Sequence, residues 1–306
     1  MIVVFSTPIL IIAIAFEMLL KSIPNDYAFK KKYMDEHSRD LEVLFLGSSH
    51  FYYGINPEYI SRSSFNAAHH SQSLDLDLAI LEKYSKRLDR LKYIVIPISY
   101  FSMRSTLESG PENWRVVKYA VYYDINLNKN VWSLFEILNG PLPHKLKISY
   151  KYIVNGVSDL NCSKLGSGIW PNDRRDLIET GKSRAVRHTR SLNESQVQIP
   201  SNIQTINSMI EFASSHNAKL LFITCPAFSS YRENINEVQL KEVVNIIENV
   251  CSNNENAFYL NLFTDKLFNF EDYYDADHLN ENGAKKLTLK IDDYINSIAN
   301  QGNEMR

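Results

Sequence analysis

Cysteine is scarce in this sequence: Cys162, Cys225 and Cys251 are the only three in 306 residues. They form no CxxC pair and have no histidine at metal-ligand spacing, which excludes a zinc ribbon or a redox dithiol. One disulfide remains open, and the count does not fix the compartment. An excess of charge of either sign is also missing, since the net charge is −2. No basic excess argues for nucleic acid, and no acidic excess suggests a solvating tail. No GxGxxG follows a strand-like run, and Gly181-Lys182-Ser183 has Asp176 where a GxxxxGKS loop needs its first Gly, so dinucleotide and P-loop nucleotide sites are excluded. Internal repeats and low-complexity tracts are absent too. What is there is ordinary globular composition, 44% hydrophobic and 22% charged, on a chain long enough to bury a core without staples. The 18 Tyr and 15 Phe suit both carbohydrate-facing surfaces and half-buried sheets, so they do not choose between these.

The first twenty residues, MIVVFSTPILIIAIAFEMLL, carry Glu17 as their only charge. This approaches the roughly 20 apolar residues that cross a bilayer as a helix. No Ala-x-Ala-like site follows, which favours a retained N-terminal transmembrane helix over a cleaved signal. A buried helix of the folded domain is the alternative. Residues 1–22 are therefore expected to be a membrane anchor and 23–40 a Lys-rich linker. The positive-inside rule places Lys30, Lys31 and Lys32 in the cytoplasm, in conflict with the outward location that a family resemblance implies below.

Beyond the linker, short apolar runs alternate with helical patterns. LEVLFLG at 41–47, a run over 65–68, YIVIPI at 93–98, KLLFIT at 219–224 and AFYLNL at 257–262 read as strands, several buried on both faces. Asn56-Pro57 opens one or two helical turns. Leu74, Leu78 and Leu81 recur at helical spacing, as do Ile203, Ile206, Ile210 and Ala213. Further helices are expected over 238–250 and 282–298. Strands alternating with helices predict an α/β fold, a three-layer α/β/α sandwich with a mainly parallel sheet spanning 41–300. Residues 101–200 break the rhythm with Trp- and Tyr-rich segments and an Arg-rich stretch over 173–190. They read as an insertion or lid.

Two constellations carry chemistry. Leu46-Gly47-Ser48-Ser49-His50 directly follows the best-defined strand, where functional groups collect in parallel α/β sheets. A Ser on such a turn presents a hydroxyl together with free backbone N–H groups, a nucleophile and an oxyanion donor in one place. A Ser-capped strand-to-helix turn is the plainer reading. The second, Asp275-Ala276-Asp277-His278, lies just before the last helix. A hydroxyl at neutral pH needs an imidazole to remove its proton, and the imidazole needs a carboxylate to fix its tautomer. Asp275 and His278 meet this need if the chain turns back between them. Asp277 is a second candidate that would have to double back sharply. A solvated loop capping the last helix is the alternative, and a calcium loop is disfavoured by too few oxygens at regular spacing.

Together these blocks resemble the SGNH/GDSL hydrolases. Gly47-Ser48-Ser49 is similar to the family's Gly-Asp-Ser block with Ser48 in place of Asp, and Gly54 resembles a Gly that often follows. Asp275-x-x-His278 is similar to Asp-x-x-His-Pro with Leu279 in place of Pro. The middle blocks depart. Residues 65–73 hold no Gly where the family places an oxyanion donor, and 96–101 hold no Asn where it has Gly-x-Asn-Asp. Backbone N–H groups near His69 or His70, or the Ser99 hydroxyl, are the candidate substitutes. Losing one such donor costs about 10²–10³ in rate, so weak activity on simple esters stays open.

The departures resemble a membrane-anchored branch that includes proteins of teichoic-acid D-alanylation and alginate O-acetylation. The resemblance implies an SGNH-hydrolase-like, flavodoxin-like fold and a triad of Ser49, His278 and Asp275, with Ser49, His70 and Ser99 contributing to oxyanion or substrate binding. It further implies acyl transfer to or from an envelope polysaccharide and an extracytoplasmic domain beside a membrane-bound acyltransferase. No metal or organic cofactor is implied. A glycan-binding or assembly protein that kept the fold and lost the oxyanion hole is the rival reading. Asp75 and Asp77 are expected to face solvent. His50 and His69 are expected to make local hydrogen bonds, and Arg174, Arg175, Arg184, Arg187 and Arg190 to form a solvated run.

Overall fold

The computed structural model describes residues 2–127, 130–170, 173–189 and 198–304. These divide into two compact units, Met1–Glu36 with Leu107–Asn161, and His37–Thr106 with Cys162–Arg306.

The second unit is α/β. Its central sheet has the order β2-β1-β3-β4-β5, all parallel, from β1 (Val43–Phe45), β2 (Ser64–Asn66), β3 (Tyr93–Pro97), β4 (Lys219–Thr224) and β5 (Ala257–Asn261). Val43 pairs with Ser64 on one side and Tyr93 on the other, and Leu220 pairs with Ala257. Every residue of β1 and β3 is buried, which explains their unbroken apolar runs: helices cover both faces and leave no side for polar residues. The helices Leu74–Tyr84 and Gln198–Ser215 pack on each other, and Glu281–Glu304 packs on the short helix Ser49–Gly54. Leu287, Ile291, Ile295 and Ile298 form the buried stripe of that last helix, at helical spacing. This strand order reverses direction between β1 and β3, the switch point at which parallel α/β sheets place functional groups at the carboxyl ends of their strands. A separate antiparallel hairpin, β6 (Tyr273–Asp275) and β7 (His278–Leu279), precedes the last helix.

The first unit is helical: Ile2–Ser22, Asp26–His37, Val116–Tyr123 and Leu142–Asn155. It is knit by the Glu17 carboxylate, which accepts the backbone N–H groups of Glu136 (2.9 Å) and Ile137 (2.7 Å). Lys21 Nζ adds a hydrogen bond to Leu134 O (3.0 Å). Tyr27 meets Tyr119 edge to face, with ring centroids 5.3 Å apart.

Three expectations are corrected here. A membrane-spanning anchor is expected over 1–22, yet among the described residues no helix is long and apolar enough to cross a membrane. Pro8 lies inside the helix Ile2–Ser22, and its final turns belong to the protein, because Leu20 is buried and Glu17 and Lys21 bind the segment around 134–137. The expected linker over 23–40 is largely the helix Asp26–His37, with Tyr27, Lys30 and Met34 buried. The expected single insertion over 101–200 is divided between the units. From residue 162 onward the chain returns to the α/β unit: Asn66 N–H donates to Leu165 O (3.0 Å), Gly168 N–H to Tyr52 O (2.6 Å), and the helix Leu177–His188 packs on Ser229–Arg232.

Candidate active site

Ser49 owes its position to the turn that ends β1. Gly47 has φ +105°, in the region that favours glycine, and a Cβ there would lie 2.2 Å from Pro97 Cδ at the end of β3. The turn is clamped from two sides: Gly47 N–H donates to Asp77 Oδ1 (2.8 Å) and Gly47 O accepts His69 N–H (3.0 Å). Asp77 is buried rather than solvent-facing, which corrects the sequence reading; it also accepts from Gln72 Nε2 (2.5 Å). Burial pushes its carboxyl up to about 7, against the pull of those two donors. Ser48 is extended and buries its hydroxyl with no hydrogen-bond partner among the described residues. Ser49 then opens the helix Ser49–Gly54, half-buried, so its N–H and that of His50 belong to the first turn, whose donors have no intrahelical acceptor.

The partner comes from the hairpin 229 residues away. Only Ala276 and Asp277 separate β6 from β7, and Asp275 pairs directly with His278. Directly opposed residues of an antiparallel pair project to the same face, which is why carboxylate and imidazole meet at this spacing. His278 Nε2 lies 2.8 Å from Ser49 Oγ, and His278 Nδ1 lies 2.9 Å from Asp275 Oδ1. The same Asp275 oxygen accepts the backbone N–H groups of Asp277 (3.2 Å) and His278 (3.0 Å), and the side chain is fully buried. The structure thus brings Ser49, His278 and Asp275 together in one line. Asp277 does double back, its Oδ1 3.4 Å from His278 Nδ1, but Asp275 is the nearer and better-aligned partner.

A second group surrounds this line. Arg184 Nη2 donates to Asp275 Oδ2 (2.7 Å), and its Nε lies 3.3 Å from Asp277 Oδ1 without the alignment of a hydrogen bond. Asp277 Oδ2 faces His50 Nε2 at 3.5 Å and His188 Nδ1 at 3.8 Å. The helix Leu177–His188 holds the hairpin further through Thr180 Oγ1, which accepts Ala276 N–H (3.1 Å). Arg184 is therefore an ion-pair partner and not part of a solvated run; Arg174 also pairs, with Glu271, and Arg190 lies outside the described residues. Nothing local distinguished Arg184 from its neighbours in an Arg-rich stretch, so sequence reasoning missed it. His188 was missed for the same reason.

The charges sort cleanly. Burial pulls His278 down, but the Asp277 and Asp275 carboxylates override this and push the imidazole up to about 9. Burial lowers His50 and takes His188 down to about 3, so both are neutral at pH 7. Burial works to raise Asp277, yet the charge of the His278 imidazole and the hydrogen bond from His50 hold it well below the usual carboxylate range. One cationic imidazole and one guanidinium thus face two carboxylates.

The remaining expected residues sit beside the line without reaching it. Ser99 Oγ is bound to His50 Nδ1 (2.6 Å) and Ser99 N–H donates to Ser102 Oγ (2.9 Å). His70 Nε2 lies 3.2 Å from Tyr53 OH, within a wall in which Trp170 stacks between Tyr53 (centroids 3.4 Å) and Tyr274 (4.0 Å). That wall borders His278, whose ring centroid is 5.8 Å from Trp170. At the position expected for a Gly donor, the Asn66 amide instead binds Phe51 O and Ile55 O (2.7 and 3.0 Å).

His50, Asp277 and His278 offer three ligand atoms within 4.8 Å of one another, the kind of group that can hold a metal. Here both nitrogens of His278 are engaged, by Ser49 and Asp275, and Arg184 already brings positive charge to Asp277. The geometry fits proton transfer from a hydroxyl better than ion binding.

No family profile matches the sequence. No curated protein matches it either. Among solved structures it is similar to a GDSL-like lipase from Bacteroides thetaiotaomicron, at 12% identity and a TM-score of 0.41, over 88% of this chain and 99% of that one. It is also similar to a lipolytic protein assigned to the G-D-S-L family from Desulfitobacterium hafniense, at 12% identity and a TM-score of 0.39, over 82% and 97%. A protein assigned as an acylhydrolase from Bacteroides fragilis matches at 10% identity and a TM-score of 0.40, over 87% and 96%. These are distant likenesses of shape, and none assigns a role to any side chain here.

Proposed function

We propose that the chain is a serine esterase or O-acyltransferase of the SGNH/GDSL type, acting on acyl esters, acetyl above all, of a cell-envelope polysaccharide. The observation that carries this reading is the 2.8 Å approach of Ser49 Oγ to His278 Nε2, with Asp275 2.9 Å behind the ring. In this mechanism neutral His278 takes the Ser49 proton as Oγ attacks the acyl carbonyl. The N–H groups of Ser49 and His50 hold the tetrahedral oxyanion, and Asp275 fixes the tautomer and stabilises the imidazolium. His278 returns the proton to the departing alkoxide, leaving an acyl-Ser49 ester. Water or a sugar hydroxyl, deprotonated by His278, then takes the acyl group and restores Ser49. The aromatic wall of Tyr53, Trp170 and Tyr274 forms one side of the approach to His278. The envelope location, the extracytoplasmic side and cooperation with a membrane-bound acyltransferase are supported by the motif resemblance.

A second reading has its own observation. Asn66 and His69 commit their donors to the protein, and Ser99 is occupied by His50, which takes three candidate oxyanion donors out of use. That favours a glycan-binding or assembly protein with a disabled triad. Fluorophosphonate labelling separates the two. Labelling of the intact chain that vanishes in Ser49→Ala supports the enzyme. Absent labelling at pH 9, where His278 becomes neutral, together with retained glycan binding supports the rival.

A further inference from the structure

The helix Leu142–Asn155 faces outward with its apolar side. Leu142, Leu146, Tyr150, Ile153 and Val154 recur at spacings of three and four, and all are more than half exposed. Its fully buried positions are polar, Lys145 and Ser149, with Ile148 and Tyr152 half-buried beside them, and Lys145 donates to Glu136 O. This inverts the usual arrangement of a helix on a globular protein. The same unit exposes more of the kind. Val131, Trp132, Phe135 and Leu138 are exposed in the segment that receives Glu17 and Lys21. On the helix Ile2–Ser22, four consecutive residues from Ile9 to Ile12 are all at least 60% exposed, so its whole circumference is apolar there. Most of the exposed large apolar side chains of the described residues belong to this unit.

Charge chooses the occupant. Between residues 137 and 157 there is no Asp or Glu, whereas exposed Lys147 and Lys151 stand among the apolar positions; His144 lines a pocket with Glu136 and Asp159 and is not counted with them. An aqueous partner protein would be met through mixed charge. An anionic bilayer matches a purely basic set around an apolar stripe, with Trp132 and Tyr150 of the type that settles at the headgroup level. The geometry points to a monotopic membrane seat: the helical unit lies on an anionic lipid surface, with the helix Leu142–Asn155 in the interface plane and the apolar turns of Ile2–Ser22 immersed beside it. No span is required. Buried apolar area supplies attachment, and lysine contacts supply preference for anionic headgroups.

The test uses the full chain and flotation with two kinds of vesicle, phosphatidylcholine alone and phosphatidylcholine with an equal part of phosphatidylglycerol. The intact chain is expected to float with the anionic vesicles. Leu146→Asp combined with Ile153→Asp alters exposed positions only; it is expected to weaken binding about tenfold or more with unchanged circular dichroism. Lys147→Gln with Lys151→Gln is expected to weaken anionic binding roughly fivefold per lysine and to leave the neutral vesicles unaffected. Failure of the intact chain to float overturns the proposal, as does equal flotation of the aspartate variant. A concentration-dependent dimer that the aspartate variant abolishes, without vesicle binding, overturns it in favour of a second copy of the chain. The inference does not rest on the esterase reading, since fluorophosphonate labelling of the same variants is scored separately.

Discussion

In the unit formed by His37–Thr106 and Cys162–Arg306, apolar residues turn inward: β1 and β3 are buried along their entire lengths, and the last helix lays Leu287, Ile291 and Ile295 against the core. In the unit formed by Met1–Glu36 and Leu107–Asn161, the helix Leu142–Asn155 does the reverse and turns Leu146, Tyr150 and Ile153 outward. The first pattern builds a rigid platform for a polar site, in which every member of the Ser49–His278–Asp275 line is held by hydrogen bonds within the unit. The second builds a surface that needs a cover. Apolar content alone therefore does not separate core from interface; the direction of the stripe does.

The largest effect that sharpens this contrast is expected at Ser49. Ser49→Ala should lower p-nitrophenyl acetate turnover by about 10⁴-fold or more, because the members of a triad act as a unit, and should leave vesicle binding unchanged. Retained turnover would break the assignment of chemistry to the α/β unit. Stability should divide in the same way. Ile94→Ala in β3 is expected to cost about 2–5 kcal/mol in urea unfolding. Ile153→Ala, on the outward stripe in the absence of lipid, should stay within about 0.5 kcal/mol. Similar losses at both positions would show that the outward stripe is core after all.

Smaller effects concern the charges around His278. The base must be neutral to accept a proton, and His278 is pushed up to about 9, so kcat/KM is expected to rise with pH and level off above about 9. Arg184→Met removes a cation beside both carboxylates. It should move that midpoint upward by about one pH unit, whereas Arg184→Lys should largely restore it; a merely structural role would leave the midpoint where it was. The linked effect on folding has a definite sign. A His raised from 6.5 to about 9 contributes stability that is fully present below about 6.5 and is lost as pH rises through 9. Asp77, raised from 3.8 to about 7, likewise favours the fold most below about 3.8 and loses that contribution as pH rises through 7. Urea unfolding at pH 5, 8 and 10, with Asp77→Asn as the control, reads both.

Much of the α/β unit was legible in the sequence, because strands buried on both faces leave apolar runs that need no partner to be seen. KLLFIT at 219–224 coincides with β4, and Ser49, Asp275 and His278 carried motifs compact enough to recognise. The rest depended on pairing across distance. That Arg184 leaves an Arg-rich stretch to bind Asp275, or that Glu17 reaches the amides of Glu136 and Ile137, has no local signature. Residues 1–22 were apolar enough to suggest a span, but sequence could not show that their last turns are committed to protein. The helix Leu142–Asn155 falls within the residues 101–200 that read as an insertion or lid; only the structure shows where it runs and which side it presents.

The two-residue link between Asp275 and His278 has a consequence for how this protein tolerates change. Because each added residue rotates a strand by half a period, a single insertion at Ala276 or Asp277 would send the imidazole to the reverse side of its ribbon. It would then aim away from Ser49, however well the new chain folded. Length at this spot is consequently a harder constraint than identity, and a library of insertions along 270–285 should find a narrow dead zone flanked by permissive positions.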